Sequence, residues 1–302
     1  MKYQIYKLKF STGVHLGNRS LEEAEYLLMA DTLFSALCQE YLKIFDSELC
    51  TFVDKARNGN ILISDAFPYI GTELYIPKPM IFIENASQQG DSILKKAYKK
   101  LKYIPISKFG MYLTGNMDVS QENSYFHGLG RKEIRENVSI RGENEPQPYR
   151  TGIYHFAEGN GLYLIIGIEK TEDGMILSEL FESLGYTGIG GKRSSGLGKF
   201  EMQMVRIPSE LKERLGTEDY SKYMTLSVSL PQQNELEKSL KNADYKIQKR
   251  SGFVQSLKYS QEQRRKNDLY VFQAGSCFTN KFAGDIYDVS NGGNHPVFCL
   301  LN

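Results

Sequence analysis

GIGGKRSSGLGKF, residues 188–200, is the stretch from which the fold and the chemistry of this chain can be worked out. Five glycines stand among the eleven residues 188–198, together with two cationic side chains. Glycine permits a positive φ and a close approach of the backbone, so such a loop can aim successive N–H groups at an anion. The stretch predicts a phosphate-binding loop, and the alternative is a mobile surface loop.

Spacing restricts which phosphate chemistry the loop can serve. A Walker loop needs glycine where Tyr186 stands and a hydroxyl residue where Arg193 follows Lys192. The dinucleotide fingerprint fails as well, because Arg193 takes the place of its third glycine. The remaining interpretation is a contact to the backbone of a longer polyanion, with charge from the loop cations and hydroxyl donors from its serines.

Composition bounds the class of protein. The 302 residues allow about two domains, and 41% hydrophobic with 24% charged residues is typical of a globular chain. A net charge of +1 gives no overall field that attracts nucleic acid, so any such role depends on local patches. No apolar run approaches the roughly 18 residues of a membrane span, no signal-peptide core is evident, and the four scattered cysteines form no CxxC pair. We expect a cytoplasmic protein without a membrane partner, a disulfide framework or a zinc knuckle.

Hydrophobic patterns predict the elements around the loop. Residues 6–10 alternate apolar side chains with lysine, as a half-buried strand does, and a helix capped by Asp31 or Thr32 is predicted to follow. The nearly continuous apolar run 162–168 is typical of a central strand. A helix is predicted near 176–184, directly before the glycine loop.

Turn signals and a second strand-then-helix pattern divide the chain. A projecting β-hairpin is predicted over about 137–154. The polar stretch 208–222 is the predicted linker between an N-terminal domain, 1–207, and a C-terminal domain, 223–302. Because each domain opens with a strand and then a helix, the predicted class is α+β.

Several motifs in a fixed order resemble a known family. The spacing GIG-GKRSS-GLG is similar to the glycine-rich loop of the RAMP superfamily of CRISPR proteins. More narrowly, the chain resembles the fourth subunit of the type III-A CRISPR Csm effector complex. The stretches that carry this resemblance are FSTGVHLGN (10–18), ADTLFSALCQEY (30–41), KRSGFVQS (249–256), RRKNDLYVFQAGSCF (264–278) and GDIYDVSNGGNHPV (284–297).

The resemblance implies a fold and a function. It implies two ferredoxin-like (RRM-like) domains, with the hairpin inserted as a thumb beside the glycine-rich loop. It implies a non-catalytic subunit that binds the 5′ repeat-derived tag of the CRISPR RNA and needs no cofactor. The expected protein partners are the large polymerase-nuclease subunit and the repeated backbone subunit. Such a surface suits single-stranded RNA, which proteins hold with cations on phosphates and aromatic or apolar platforms under bases.

The resemblance also assigns a tag-binding surface, residue by residue. Its members are Gly13, Val14, His15, Leu16, Gly17 and Asn18 after the first strand; Asp31, Thr32 and Ser35 at the helix start; Ile140, Arg141, Tyr149 and Arg150 in the hairpin; Gly188, Gly190, Gly191, Lys192, Arg193, Ser194, Ser195, Gly196, Gly198 and Lys199 in the loop; and Arg250 in the second domain. Asp31 has an equal claim to be a helix cap.

Two enzymatic functions are alternatives to this role. A metal-independent RAMP endoribonuclease that processes repeat RNA would use His15 as general acid or base, with Lys192 or Arg193 stabilising the phosphorane. No second acid-base partner is evident for it in the sequence. A nucleotide polymerase or cyclase would need closely spaced carboxylates for two metal ions, and the acidic pairs present lie in polar stretches. We therefore predict that the chain is not an enzyme and holds no metal.

Overall fold

The computed structural model describes residues 1–17, 20–45, 48–83, 92–140, 145–218, 220–254, 264–292 and 296–301. The strands are β1 (Lys2–Phe10), β2 (Ile61–Ile63), β3 (Phe67–Ile70), β4 (Glu73–Pro77), β5 (Tyr103–Pro105), β6 (Gly130–Ser139), β7 (Gln147–Phe156), β8 (Asn160–Ile168), β9 (Phe200–Val205), β10 (Tyr223–Met224), β11 (Ile247–Arg250), β12 (Leu269–Phe272), β13 (Cys277–Phe278), β14 (Asp285–Asp288) and β15 (Phe298–Leu301). The α-helices are α1 (Ala30–Ile44), α2 (Leu49–Arg57), α3 (Ser92–Lys100), α4 (Phe109–Leu113), α5 (Val119–Phe126), α6 (Thr171–Thr187), α7 (Ser209–Gly216) and α8 (Leu236–Leu240).

One antiparallel sheet organises the first two thirds of the chain. Its order is β5-β4-β3-β8-β1-β9, with β2 also paired to β8. Every residue of β8 is buried. β1 pairs with one edge of the strand, and β2 and β3 pair with the other. The predicted central strand is therefore confirmed. The chain is mixed α/β with antiparallel sheets.

The side chains of β8 alternate between two separate hydrophobic cores, one on each face of the sheet. Leu164 and Ile166 pack on one face of the sheet against α1, α2 and α6. Tyr163 and Ile165 pack on the opposite face, in a core that includes residues of α4, α5 and α7. A strand buried on both faces needs apolar side chains at odd and even positions alike, which is why its sequence runs LYLII without a polar break.

β6 and β7 form a β-hairpin. In the sequence it lies between β5 and β8 of the sheet. Its ladder runs from the pair Gly130 and Phe156 to the pair Ser139 and Gln147, so it is longer than the predicted 137–154. Tyr154 at the base is buried, whereas Val138 near the tip is exposed. Residues 141–144, including Arg141, lie outside the described residues.

The C-terminal part is built from short antiparallel pairs. The pairs are β10 with β13, β11 with β12, and β14 with β15. The alternating stretch 225–230 contributes an isolated bridge between Ser229 and Phe272 instead of a long strand. The predicted linker contains α7, whose Leu211 is buried in the second core. This part consequently packs on the N-terminal sheet through both side chains and backbone.

Asp65 joins the two parts of the chain. One oxygen of its carboxyl group, Oδ1, accepts hydrogen bonds from the backbone N–H of Ala30 at 2.8 Å and of Val228 at 3.1 Å. Its own N–H donates to the carbonyl of Leu226 at 2.9 Å. Burial raises the pKa of Asp65 to about 7, although the two N–H donors act in the opposite direction. The start of α1 and the C-terminal part therefore share one buried carboxyl group.

Candidate nucleic-acid interface

The glycine loop is held against the segment that follows β1. Gly191 N–H donates to the carbonyl of His15 at 2.8 Å, and Gly198 N–H donates to the carbonyl of Gly13 at 2.9 Å. Inside the loop, Ile189 N–H donates to the carbonyl of Gly198 at 2.9 Å. These hydrogen bonds fix both ends of the loop to one short segment, residues 13–15. The middle of the loop stays exposed.

Two glycines are required by the crossing of backbones. Gly198 has φ +79°, and a Cβ added there would lie 2.0 Å from the carbonyl oxygen of Ile189. Gly190 has φ +89°, and its added Cβ would lie 2.6 Å from the carbonyl oxygen of His15. Both positions combine a left-handed conformation with a close backbone approach, which only glycine meets without strain.

The middle of the loop presents cations and hydroxyl groups. Residues Arg193–Ser195 form a single 3₁₀ turn, and Ser194, Ser195 and Lys199 are exposed. Lys192 lies before this turn with φ +60°, and its Nζ donates to the Tyr149 hydroxyl at 3.3 Å and stands 4.6 Å from the centre of that ring. Within the described part of the chain, Arg193 has no ion-pair partner. The loop thus carries positive charge free for an anion.

His15 connects the loop, the segment after β1 and the hairpin. Its Nδ1 lies 2.7 Å from the carbonyl oxygen of Gly152, and a carbonyl only accepts, so Nδ1 carries the proton. A Cβ on Gly191 would lie 2.6 Å from its Cδ2, which shows how closely the loop covers the ring. Only 7% of His15 is exposed. The imidazole ring is therefore packed in a fixed position, and its Nδ1 is already hydrogen-bonded.

The structure brings several of the predicted residues together and leaves others apart. The glycine loop bonds to residues 13–15, and it meets the hairpin where Lys192 contacts Tyr149 and where His15 bonds to Gly152. Arg150 is exposed on the hairpin and pairs with Glu136 at 3.1 Å, while Ile140, 73% exposed, lies near the tip. Ser35 is half-buried on α1. Asn18 and Arg141 lie outside the described residues.

Asp31, Thr32 and Arg250 form a separate cluster with each other. Arg250 Nη2 donates to Asp31 Oδ1 at 2.7 Å, its Nε donates to Oδ2 at 2.9 Å, and Nη2 also reaches the Thr32 hydroxyl at 2.9 Å. Asp31 is 1% exposed. Burial alone would raise the pKa of Asp31, but the bonded guanidinium outweighs burial and holds that pKa below its ordinary value.

The cap prediction for this helix was wrong by two or three residues. α1 begins at Ala30, and its N-cap residue is Met29, which makes no side-chain cap. Asp31 lies inside the first turn, where its Oδ1 accepts from Thr32 N–H at 2.7 Å. The carboxylate turns toward Arg250 because that cation is available from the C-terminal part, a contact that local sequence does not reveal.

The chain is similar to known proteins over almost its whole length. A family model of the RAMP superfamily matches residues 9–201, and a model of the CRISPR Csm4 C-terminal domain matches residues 218–300. The chain is 34% identical over 299 residues to the "CRISPR system Cms protein Csm4" of Mycobacterium tuberculosis (strain CDC 1551 / Oshkosh), covering 99% of this chain and 95% of the relative. The chain belongs to the Csm4 family.

Further Csm4 proteins agree with this assignment. The Csm4 protein of Streptococcus thermophilus is 31% identical over 296 residues, with 96% of this chain and 93% of the relative covered. The membership indicated by the ordered motifs is confirmed.

Solved structures extend the agreement to the fold. A crystal structure of a Csm3-Csm4 subcomplex in the type III-A CRISPR-Cas interference complex has a chain with a TM-score of 0.67 at 20% identity, with 99% of each chain covered. A Csm1-Csm4 cassette in complex with cA4 gives a TM-score of 0.59 at 18% identity, with 99% and 94% covered. At these identities the likeness establishes a shared fold.

Sequence reasoning missed the partners that shape this Csm4 interface. Gly152 supplies the carbonyl that fixes His15, and a Cβ on Gly152 would lie 2.2 Å from the carbonyl oxygen of Glu22. A glycine inside a strand is the available signal for such a close approach. Thr12, whose Oγ1 accepts from Lys199 N–H at 3.0 Å, left no signal.

In the described residues, no group of three or more His, Cys, Asp or Glu side chains could hold a metal ion. Among the helices of those ranges, none combines the length and the apolar character that crossing a membrane requires.

Proposed function

We propose that this chain is a non-catalytic RNA-binding subunit of a type III-A CRISPR Csm effector complex, acting in antiviral defence in the cytoplasm. In this role it holds the 5′ repeat-derived tag of the CRISPR RNA. The observation that carries the proposal is the glycine loop, bonded at both ends to residues 13–15 and presenting Lys192 and Arg193 beside exposed serine hydroxyls. Cations and hydroxyl groups on an exposed loop suit phosphates of a single strand.

The proposed tag surface consists of the loop, the segment after β1 and the inner side of the hairpin. Tyr149 offers a ring there, with Lys192 across it, and a base can stack beside such a pair. In the proposal, Asp31, Thr32, Ser35 and Arg250, on α1 and β11, form a second, separate part of the RNA-binding surface. Since Asp31 is buried, its role in the proposal is to hold the Arg250 guanidinium in position.

The proposed domain assignment follows strand order. In residues 1–207 the strands β1, β3, β8 and β9 alternate with α1 and α6 as β-α-β-β-α-β, and their order in the sheet is β9-β1-β8-β3. This order supports a ferredoxin-like N-terminal domain. The hairpin is then the thumb, residues 208–222 are the connection, and residues 223–302 form the second, smaller domain.

The proposed protein partners come from relatives. Csm4 chains in solved structures are associated with Csm3 in one case and with Csm1 in another. We expect this chain to contact the backbone RAMP subunit and the large polymerase-nuclease subunit of its own complex. One copy would connect these two at the tag end of the RNA.

The geometry of His15 supports a scaffold over a ribonuclease. A general acid or base must reach the reacting oxygen through a free nitrogen. Nδ1 of His15 is occupied by Gly152, and the ring is almost wholly covered. The glycine loop still offers Lys192 and Arg193 for charge, so the two functions differ by whether His15 moves a proton.

The test uses the chain assembled with its neighbouring subunits and a CRISPR RNA. The variant Lys192→Gly/Arg193→Ala removes two cations and keeps the positive φ of residue 192. The control, Lys170→Ala/Lys212→Ala, removes two exposed cations elsewhere. We expect the first variant to lose tag RNA by about tenfold or more and the control to retain it. Equal retention by both would contradict the proposal.

A second arm addresses catalysis. The isolated chain is incubated with repeat RNA, beside His15→Ala. We expect no cleavage from either protein. Cleavage by the wild type that His15→Ala abolishes would replace the scaffold with the ribonuclease.

A further inference from the structure

A cavity of about 300 Å³ lies at the base of the hairpin, apart from the glycine loop. Its lining comes from α3, β5, α5, the hairpin and the segment before α1. The volume is at the lower end of the range for small-ligand sites, about 300–1,000 Å³. None of the residues assigned to the proposed tag surface lines it.

The walls of this cavity, which we call the aromatic pocket, are rings. Tyr103 and Phe126 stack with centroids 5.7 Å apart and planes 18° from parallel. Tyr26 lies 5.2 Å from Tyr154 and 6.3 Å from Tyr103. Burial raises the pKa of Tyr154 to about 12, so its hydroxyl group is neutral at physiological pH. A set of neutral, largely apolar ring surfaces is a platform for another flat ring.

The rim of the aromatic pocket is cationic. Lys100 and Lys102 are exposed, and no ion pair in the described ranges involves either ammonium group. Lys132 also lines the pocket but is partly neutralised by Glu25, whose Oε1 lies 2.8 Å from its Nζ. A net positive rim above apolar rings favours a ligand that carries an anion on a flat, uncharged group. It disfavours a cationic ligand, which such rings would otherwise accept.

Asn123 adds a directional contact at the wall. Its Nδ2 donates to the carbonyl of Ala97 at 3.0 Å, which fixes the amide and leaves the Oδ1 atom as an acceptor. Nucleobases carry amino or imino donors at their edges, so a fixed amide oxygen can recognise one. Ring platform, edge acceptor and cations together match the three parts of a nucleotide.

We propose that the aromatic pocket binds one unstacked nucleobase of single-stranded RNA, with Lys100 and Lys102 on the adjoining phosphates. This inference rests on the proposed function, since it adds a second RNA contact to a chain that holds RNA at the glycine loop. The two places are connected through β7: Tyr154 lines the pocket, and its backbone pairs with Val14 beneath the loop, at 2.9 and 2.8 Å. In this proposal, the RNA strand continues from the loop past β7 to the pocket.

The first experiment locates the base. RNA with 2-aminopurine at one position at a time is bound to the assembled complex, and its fluorescence is recorded. A base stacked on rings is quenched, and we expect at least one position whose quenching is lost in Phe126→Leu, a change that keeps apolar volume and removes the stacking ring. If no position differs between wild type and Phe126→Leu, the pocket holds no base of this RNA and the inference falls.

The second experiment tests the rim with matched charge changes. Lys100→Glu/Lys102→Glu reverses the two rim charges, and Lys95→Glu/Lys99→Glu makes the same change on exposed lysines of α3 that do not line the pocket. We expect about tenfold weaker RNA binding, with a shallower salt dependence, for the rim variant. We expect a smaller loss for the control. Equal losses would mean that only the general charge of α3 matters and would overturn the pocket assignment.

Two further outcomes separate this inference from the proposed function and from a free ligand. If Lys192→Gly/Arg193→Ala loses RNA while the rim variant and Phe126→Leu bind like wild type, the function stands and the pocket inference falls. Adenosine or uridine monophosphate is also titrated against the complex without RNA. If a mononucleotide binds at the pocket but does not compete with RNA, the source of the nucleotide is the free pool and the RNA assignment is wrong.

Discussion

Arg193 and Arg250 show how two arginines of one chain serve opposite purposes. Arg193 stands on the glycine loop with no ion-pair partner among the described residues, whereas Arg250 is mostly buried and donates to both oxygens of Asp31. Both residues were predicted to bind RNA. The comparison teaches that the partner decides the role: a free guanidinium is available to a phosphate, and a paired, desolvated one holds two parts of the chain together.

The largest expected effect comes from breaking the buried pair. Arg250→Met removes the two hydrogen bonds of the guanidinium to the buried Asp31 carboxylate and leaves it, among the described residues, only the longer ion pair with Lys266 Nζ, at 4.0 Å. We expect the free energy of unfolding to fall by about 3–5 kcal/mol. Urea denaturation of the isolated chain measures it. The double variant Asp31→Leu/Arg250→Met removes both charges and should recover most of the loss. If the double variant is as unstable as the single one, the pair is not what stabilises this contact.

The next effect concerns Asp65, which lies near the same junction. Its pKa is raised to about 7 in the folded chain, against about 4 when unfolded. The contribution of this carboxyl group to the free energy of unfolding is therefore complete below about pH 4. It is lost as the pH rises toward 7, at roughly 1 kcal/mol per pH unit. Asp65→Asn keeps an acceptor for Ala30 and removes the proton. Between pH 5 and 8, the free energy of unfolding of the wild type should fall relative to that of Asp65→Asn. If the two values change in parallel with pH, the raised pKa of Asp65 is contradicted.

Arg193 should show the converse behaviour. Arg193→Ala is expected to change the free energy of unfolding by less than about 0.5 kcal/mol, because no partner in the described ranges loses a contact. RNA binding by the complex should weaken by about tenfold, and the slope of log K against log salt should fall by about one. Filter binding at several salt concentrations measures both. A stability loss like that of Arg250→Met would erase the contrast between the two arginines.

The smallest effect isolates backbone strain on the loop. Lys192 has φ +60°, a conformation that costs a residue with a Cβ about 1 kcal/mol. Lys192→Ala keeps this cost and loses the contact to Tyr149, while Lys192→Gly loses the same contact but is relieved of the strain. Thermal unfolding should therefore rank the glycine variant above the alanine variant. The reverse order would mean that the conformation of residue 192 is not strained.

Much of the sheet could be predicted because its signals are local. β1 alternates apolar residues with lysine, and β8 is apolar at every position that two cores require, so both were found from periodicity. The hairpin was predicted too short. Its first strand reads GRKEIRENVS, with exposed Ile134 and Val138, and a strand without a buried face has no pattern that marks its start.

In the candidate site, too, features with a local sequence signal could be predicted and features that depend on the fold could not. The glycine spacing over 188–198 was visible because each glycine answers a local backbone demand. The pairing of Asp31 with Arg250 was not, since the two residues are 219 positions apart. The aromatic pocket was equally invisible, because its lining is gathered from separate elements, and only the fold brings Tyr26, Tyr103 and Phe126 together.

The free edge of β6 bears on how the chain survives before it meets its partners. In the part of the chain that the structure describes, β6 pairs with β7 alone, so its other edge is a template for another strand. The strand carries the charged residues Arg131, Lys132, Glu133, Arg135 and Glu136. An aggregating neighbour would have to bury these charges. The charges on β6 therefore oppose pairing with a strand of another molecule and help to keep this exposed edge from aggregating.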